Sequence, residues 1–94
     1  MNLEFEVEYY SNGNKKIEMN EDVIREYYEN GKLKSEYLKD KEYKSYYQSG
    51  YLKEKCNLVN MSLHGWLNRF DEKGKEQPEL LYNLGVKIGH PFFR

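Results

Sequence analysis

The chain has little of what usually fixes a small fold. It contains one cysteine, Cys56, so no intrachain disulfide is available, and a reducing compartment fits that usage. Its only histidines, His64 and His90, make no metal-ligand spacing with Cys56. No apolar run approaches the ~18 residues of a membrane-spanning helix. The opening Met1-Asn2-Leu3-Glu4-Phe5-Glu6 holds no basic stretch followed by an apolar one, so no secretory signal is visible and a cytoplasmic location is expected. An excess of one charge is missing too: 15 basic against 16 acidic residues give a net −1, which argues against holding a polyanion by bulk electrostatics. There is no glycine-rich phosphate loop, no Gly-x-Ser-x-Gly and no Walker-type lysine. The paired acids Glu21-Asp22 and Asp71-Glu72 fall at turns, where solvated carboxylates are ordinary. No enzyme, cofactor or metal is expected.

Aromatic residues are plentiful, at 16% of 94 residues, and ten of them are tyrosines. They recur in one pattern, an aromatic pair ahead of a turn: Tyr9-Tyr10-Ser11-Asn12-Gly13, Tyr27-Tyr28-Glu29-Asn30-Gly31, Tyr46-Tyr47-Gln48-Ser49-Gly50, and a decayed copy, Phe70-Asp71-Glu72-Lys73-Gly74. Such a unit cannot bury its own apolar face and must lean on its neighbours, so this is a repeat protein. With 38% hydrophobic and 33% charged residues, the chain suits one thin sheet better than a two-layer core. The expected fold is all-β, an elongated, single-layer, twisted antiparallel meander of repeated β-hairpins. Its units run approximately 3–19, 22–38, 42–58 and 64–82, with a terminal strand at 86–93.

Leu3, Phe5, Val7 and Tyr9 alternate with Glu4, Glu6 and Glu8, the period of a half-buried strand. Asn30-Gly31 suits a two-residue type I′ turn, and counting outward sets Tyr28 opposite Leu33, Glu26 opposite Ser35 and Ile24 opposite Tyr37. On the other face, Tyr27 meets Lys34, Arg25 meets Glu36 and Val23 meets Leu38. Ser49-Gly50 gives the same result, with Tyr47 opposite Leu52, Ser45 opposite Glu54, Tyr43 opposite Cys56 and Tyr46 over Lys53. Around Asn12-Gly13 the simple count sets Tyr10 against Lys15, so a longer turn or a bulge is expected there, bringing Tyr9 over Ile17 and Val7 over Met19. Pro78 predicts a distorted point in its strand, and Pro91 suits a terminal edge.

A second signature, Leu63-His64-Gly65-Trp66, is answered by Ile88-Gly89-His90-Pro91. Together with Tyr-Tyr-x-Asn-Gly-x-Leu-Lys, it resembles the bacterial variant of the MORN repeat, over nearly the whole chain. The resemblance implies a run of β-hairpins in one elongated antiparallel sheet, a scaffolding or antitoxin-like role, and no catalytic residue. The two short early repeats depart from the family's usual unit length.

A structural role in closing turns is expected for both histidines, and a small buried hydrophobe for Cys56. One row of rings, Tyr10, Tyr28 and Tyr47 with Leu33 and Leu52, reads as a substitute for a missing core. The other row is the expected binding surface: Tyr9, Tyr27, Tyr46 and Phe70, alternating with Lys34 and Lys53 and joined by Trp66.

Three functional readings are open. The leading one is a protein-interaction module, antitoxin- or immunity-like, whose acidic first third (eight acids against Lys15, Lys16 and Arg25 over residues 1–31) suits a basic partner. A second is binding of anionic lipid headgroups or nucleic acid by tyrosines interleaved with Lys32, Lys34, Lys39, Lys41, Lys44, Lys53 and Lys55. A third is self-assembly as a homodimer through a terminal strand, since the chain ends in Ile88 to Arg94 with Phe92 and Phe93.

Overall fold

The computed structural model describes residues 4–89. Among the described residues, nine strands follow one another in space as they do in sequence: β1 (Glu6–Tyr9), β2 (Lys15–Met19), β3 (Val23–Tyr27), β4 (Leu33–Leu38), β5 (Glu42–Tyr46), β6 (Leu52–Val59), β7 (Ser62–Phe70), β8 (Glu76–Asn83) and β9 (Val86–Gly89). All neighbours are antiparallel, in one open sheet in the order β1 to β9. No helix occurs among the described residues, so none is long and apolar enough to cross a membrane. The principal extents are 45 × 35 × 15 Å. The first matches nine strands at ~4.8 Å spacing, and the last leaves no room for a second layer. Leu3, and His90 to Arg94 with Pro91, Phe92 and Phe93, lie outside the described residues.

The expected pairing holds through the interiors of two hairpins: Ile24 faces Tyr37, Glu26 faces Ser35, Ser45 faces Glu54 and Tyr43 faces Cys56. The turns themselves are not of type I′. In the second hairpin the Gly31 amide donates to Tyr28 O and the Tyr28 amide to Lys32 O, both at 2.9 Å. That is a three-residue loop, a type I turn closed by a glycine of positive φ, here +90°. The register error is then undone by one extra residue. Tyr27 pairs with Leu33 while Glu26 pairs with Ser35, so Lys34 is a bulge, and neither Tyr28–Leu33 nor Tyr27–Lys34 is a pair. Lys53 does the same in the third hairpin, where Tyr46 pairs with Leu52.

The first hairpin obeys the same rule: the longer turn and bulge expected there are present, but they do not bring Tyr9 over Ile17 or Val7 over Met19. Tyr9 pairs with Lys15, Lys16 is the bulge, and the interior pairs are Glu8–Ile17, Val7–Glu18 and Glu6–Met19. In the fourth hairpin the bulge moves to the Pro78 region, where a proline needs no ladder donor. Because only the glycine takes a positive φ, the residue before it is free to be Asn12, Asn30, Ser49 or Lys73. Genuine two-residue turns with both central residues at positive φ occur instead at Asn60-Met61 and Leu84-Gly85.

The second tyrosine of each pair joins its hairpin to the next. Tyr10, Tyr28 and Tyr47 donate their hydroxyls to the carbonyls of Tyr27, Tyr46 and Phe70, at 2.7, 2.7 and 2.8 Å. This fits their reading as a substitute core. The last unit carries Asp71 in that position, and its carboxylate instead accepts the amides of Lys73 and Lys75. At the opposite ends of the strands the turns are also tied across: Lys39 N to Asp22 O, Leu58 N to Lys41 O and Asn60 N to the Asp40 carboxylate.

Only Cys56, Leu58 and Leu67 are buried hydrophobes among the described residues, balanced by three buried polar ones, Glu18, Ser35 and Ser45. Stability therefore rests on cross-strand pairs and these ties rather than on a thick core.

Candidate functional site

Because facing residues share a side of the sheet, the register sorts the side chains into two faces. One carries a charged row through Glu18, Arg25, Glu36, Lys44 and Lys55 on successive strands. Its members satisfy one another. Glu18 accepts from Lys15 at 2.9 Å, Arg25 at 3.4 Å and the Tyr27 hydroxyl at 2.6 Å, and Arg25 also reaches Glu36 at 2.6 Å. Lys44 reaches Glu42 at 3.2 Å. The Tyr27 hydrogen bond, followed by Lys15, holds the Glu18 carboxyl below its ordinary range. Burial first, and then Glu18, pushes the Tyr27 phenol up to about 12.

The other face carries a row of different chemistry: Glu26, Ser35, Ser45 and Glu54, again on successive strands β3 to β6. Ser35 and Ser45 face each other across β4 and β5, both 6% exposed, and form a small floor. Ser35 donates to Glu26 Oε1 at 3.1 Å and Ser45 to Glu54 Oε1 at 3.2 Å, so the two halves mirror each other. Tyr37 and Tyr43 make one wall, their rings 4.6 Å apart and tilted by 34°. The Tyr43 hydroxyl donates to Glu54 Oε1 at 2.9 Å. Tyr28 stands on the opposite side, with Lys34 and Lys53 at the rim, and the whole encloses a depression of about 130 Å³.

The electrostatics of this slot are unbalanced. Glu18, Glu36 and Glu42 each have a cation within 4 Å, whereas Glu26 and Glu54 have none among the described residues. Lys34 and Lys53 sit instead over the rings of Tyr28 and Tyr47, at 5.7 and 5.6 Å, as Lys16 sits over Tyr10 at 5.8 Å. Burial first, then the negative fields of both Glu26 and Glu54, pushes the Tyr37 phenol up, so the two carboxylates act on one point. Tyr43 is pushed up further, chiefly by burial.

The residues expected to form one binding row are divided by the sheet. Tyr27 lies on the charged face, its hydroxyl taken by Glu18. Lys34 and Lys53 do not alternate with it, because the bulges place them at the rim of the serine slot. Tyr46 lines the slot and also a shallow apolar strip with Leu33. Tyr9 is 61% exposed, and Phe70 is half-buried and accepts from Tyr47. Trp66 is half-buried in β7 beside Leu81.

His64 lies within β7 rather than at a turn, but its Nδ1 accepts the Leu84 amide at 3.2 Å and so anchors the β8–β9 turn. Cys56 is 2% exposed beside Tyr43, and burial pushes its thiol up, which suits an inert hydrophobe. No group of three metal-ligating side chains exists among the described residues. A larger hollow of about 230 Å³ near Arg69 and Glu79 is satisfied from within, since Asn68 donates to Glu79 at 2.7 Å and Arg69 to Pro78 O at 2.8 Å.

Sequence reasoning missed the slot although one signal was present. Glu26 and Ser35, and Ser45 and Glu54, are each nine residues apart about a Gly turn, in mirrored order. Compared with known proteins, the chain matches no family model, no curated protein and no solved structure.

Proposed function

We propose that this chain is a non-catalytic repeat scaffold that binds a partner protein through an aromatic and charged face of its sheet. The observation that carries the reading is the slot across β3 to β6, where tyrosine rings, buried hydroxyls and two carboxylates without cations meet on the side opposite the self-satisfied charged row. Its volume of about 130 Å³ is below the ~300–1,000 Å³ usual for small-molecule sites, so a protruding side chain fits better than a whole metabolite. Tyrosine supplies rigid contact area at low entropy cost, as interaction surfaces do. The resemblance of the hairpin units to the bacterial MORN-repeat variant supports a scaffold and, more finely, an antitoxin- or immunity-like role.

One observation favours the second reading: Lys16, Lys34 and Lys53 recur on β2, β4 and β6 near the glycine turns, each over a tyrosine ring, a spacing open to anionic headgroups or single strands. A three-arm experiment separates the two. The tagged chain is exposed to extract from its native source, to anionic vesicles and to single-stranded DNA, at low and moderate salt. A discrete protein co-purifying at fixed stoichiometry, without vesicle or DNA retention, is the expected result. Retention on vesicles or DNA that falls with salt, with no protein partner, overturns it.

A further inference from the structure

From the slot between Glu26 and Glu54, we infer that the partner is held by an arginine side chain, whose guanidinium lies on the Ser35–Ser45 floor against Tyr37 and Tyr43 and bonds a glutamate at the slot's end. This rests on the proposal that the face binds a protein and names the chemistry of the group it receives.

Two half-buried glutamates face a common depression whose lining includes Lys34 and Lys53, yet neither carboxylate has a cation within 4 Å, while every ion-paired glutamate among the described residues lies outside it. All three hydroxyl bonds end on Oε1, which leaves Oε2 of each carboxylate to a ligand. Lysines are at hand and do not fill the gap: Lys34 and Lys53 are held over tyrosine rings, each on its own bulge. A cation from outside therefore completes the slot without displacing an internal ion pair.

Shape selects guanidinium over ammonium. The floor is made of the smallest side chains of the row, and the wall of two tilted rings, which leaves a narrow space suited to a planar group that can stack and form parallel N–H···O bonds. An ammonium is compact and strongly hydrated, and gains less from such a wall. Phosphate or carboxylate ligands meet Glu26 and Glu54 and are repelled. The mirrored halves give the cation a carboxylate at either end, so the slot tolerates two directions of entry.

The test uses the full chain, isotope-labelled for amide NMR, titrated with N-acetyl-arginine amide and, separately, N-acetyl-lysine amide. Saturable shifts centred on Ser35, Tyr37, Tyr43 and Ser45, reached at lower concentration with the arginine probe, are expected. The double substitution Glu26→Gln/Glu54→Gln is expected to weaken this by roughly tenfold or more, as loss of charge-assisted bonds implies. Lys34→Ala/Lys53→Ala, at exposed positions, removes repelling charge and is expected to tighten it. Non-saturating shifts that follow local acidity along Glu4 to Glu8, equal response to both probes, or unchanged affinity in either variant overturns the inference. If a captured partner protects the slot while the arginine probe is inert, the arginine assignment fails and the protein-binding reading stands. If the probe binds there and no partner is captured, the reverse holds.

Discussion

Removing one hydroxyl, by Tyr28→Phe, tests whether the hairpins are joined as described. The Tyr28 phenol donates at 2.7 Å to the carbonyl of Tyr46, one unit further along, while its ring lies under Lys34. Phenylalanine keeps the ring and its cation contact and deletes only the bond. A part-buried neutral hydrogen bond contributes about 1 kcal/mol net, and Tyr46 is itself only half-buried, so the loss should stay near that value. For a chain of this size that corresponds to a fall in Tm of roughly 4–8 °C. Tyr10, Tyr28 and Tyr47 make equivalent bonds about 10 Å apart, two strand spacings, and the triple substitution should cost about 3 kcal/mol, near the additive sum. That is a large part of the ~5–15 kcal/mol typical of a domain. Urea unfolding with an unchanged m-value is the assay. The control is Tyr51→Phe, at a position 55% exposed with no hydroxyl partner among the described residues, expected within about 0.5 kcal/mol of the parent. A Tyr28→Phe protein as stable as the Tyr51→Phe protein would show that the Tyr28–Tyr46 bond does not join the hairpins.

The remaining predictions concern the charged row and the turns. Glu18 has its folded pKa lowered, so its contribution is present above the ordinary value of 4.5 and is lost as pH falls below it; Glu18→Gln should flatten the acid limb of a stability–pH curve. Tyr27 has its folded pKa raised to about 12 from 10.0, so its contribution is present below pH 10 and lost toward pH 12; Tyr27→Phe should remove one step near the top of that window in a phenolate absorbance titration. Gly50→Ala meets no atom within 4 Å but forces an L-residue to a φ of +101°, and should cost roughly 1–2 kcal/mol by urea unfolding. Leu84 is 56% exposed at a φ of +47° in a two-residue turn, and Leu84→Asn should raise Tm by relieving about 1 kcal/mol of that strain.

The meander and the strand interiors were legible because aromatic–glycine punctuation and period-two alternation agree in each hairpin. Ile24–Tyr37 and Tyr43–Cys56 fell into place from counting alone. The loop type was not legible, because a three-residue loop followed by a one-residue bulge at Lys34 or Lys53 gives the same interior register as a two-residue turn. That cancellation hid the displacement of the lysines, and with it the make-up of each face. The slot was hidden for a further reason. Each hairpin fixed one Glu–Ser pair, but their meeting depends on the β4–β5 connection from Leu38 to Glu42, where no glycine or proline marks the register and Asp40 supplies the positive φ.

The most direct test of recognition on the serine face is site-specific photo-crosslinking in the native cells, with the photoreactive side chain placed in turn at Lys34, at Lys44 on the charged face and at Lys87 on β9. One discrete protein adduct from position 34 is expected, and none from 44 or 87. An adduct from position 44 or 87 with position 34 silent contradicts it.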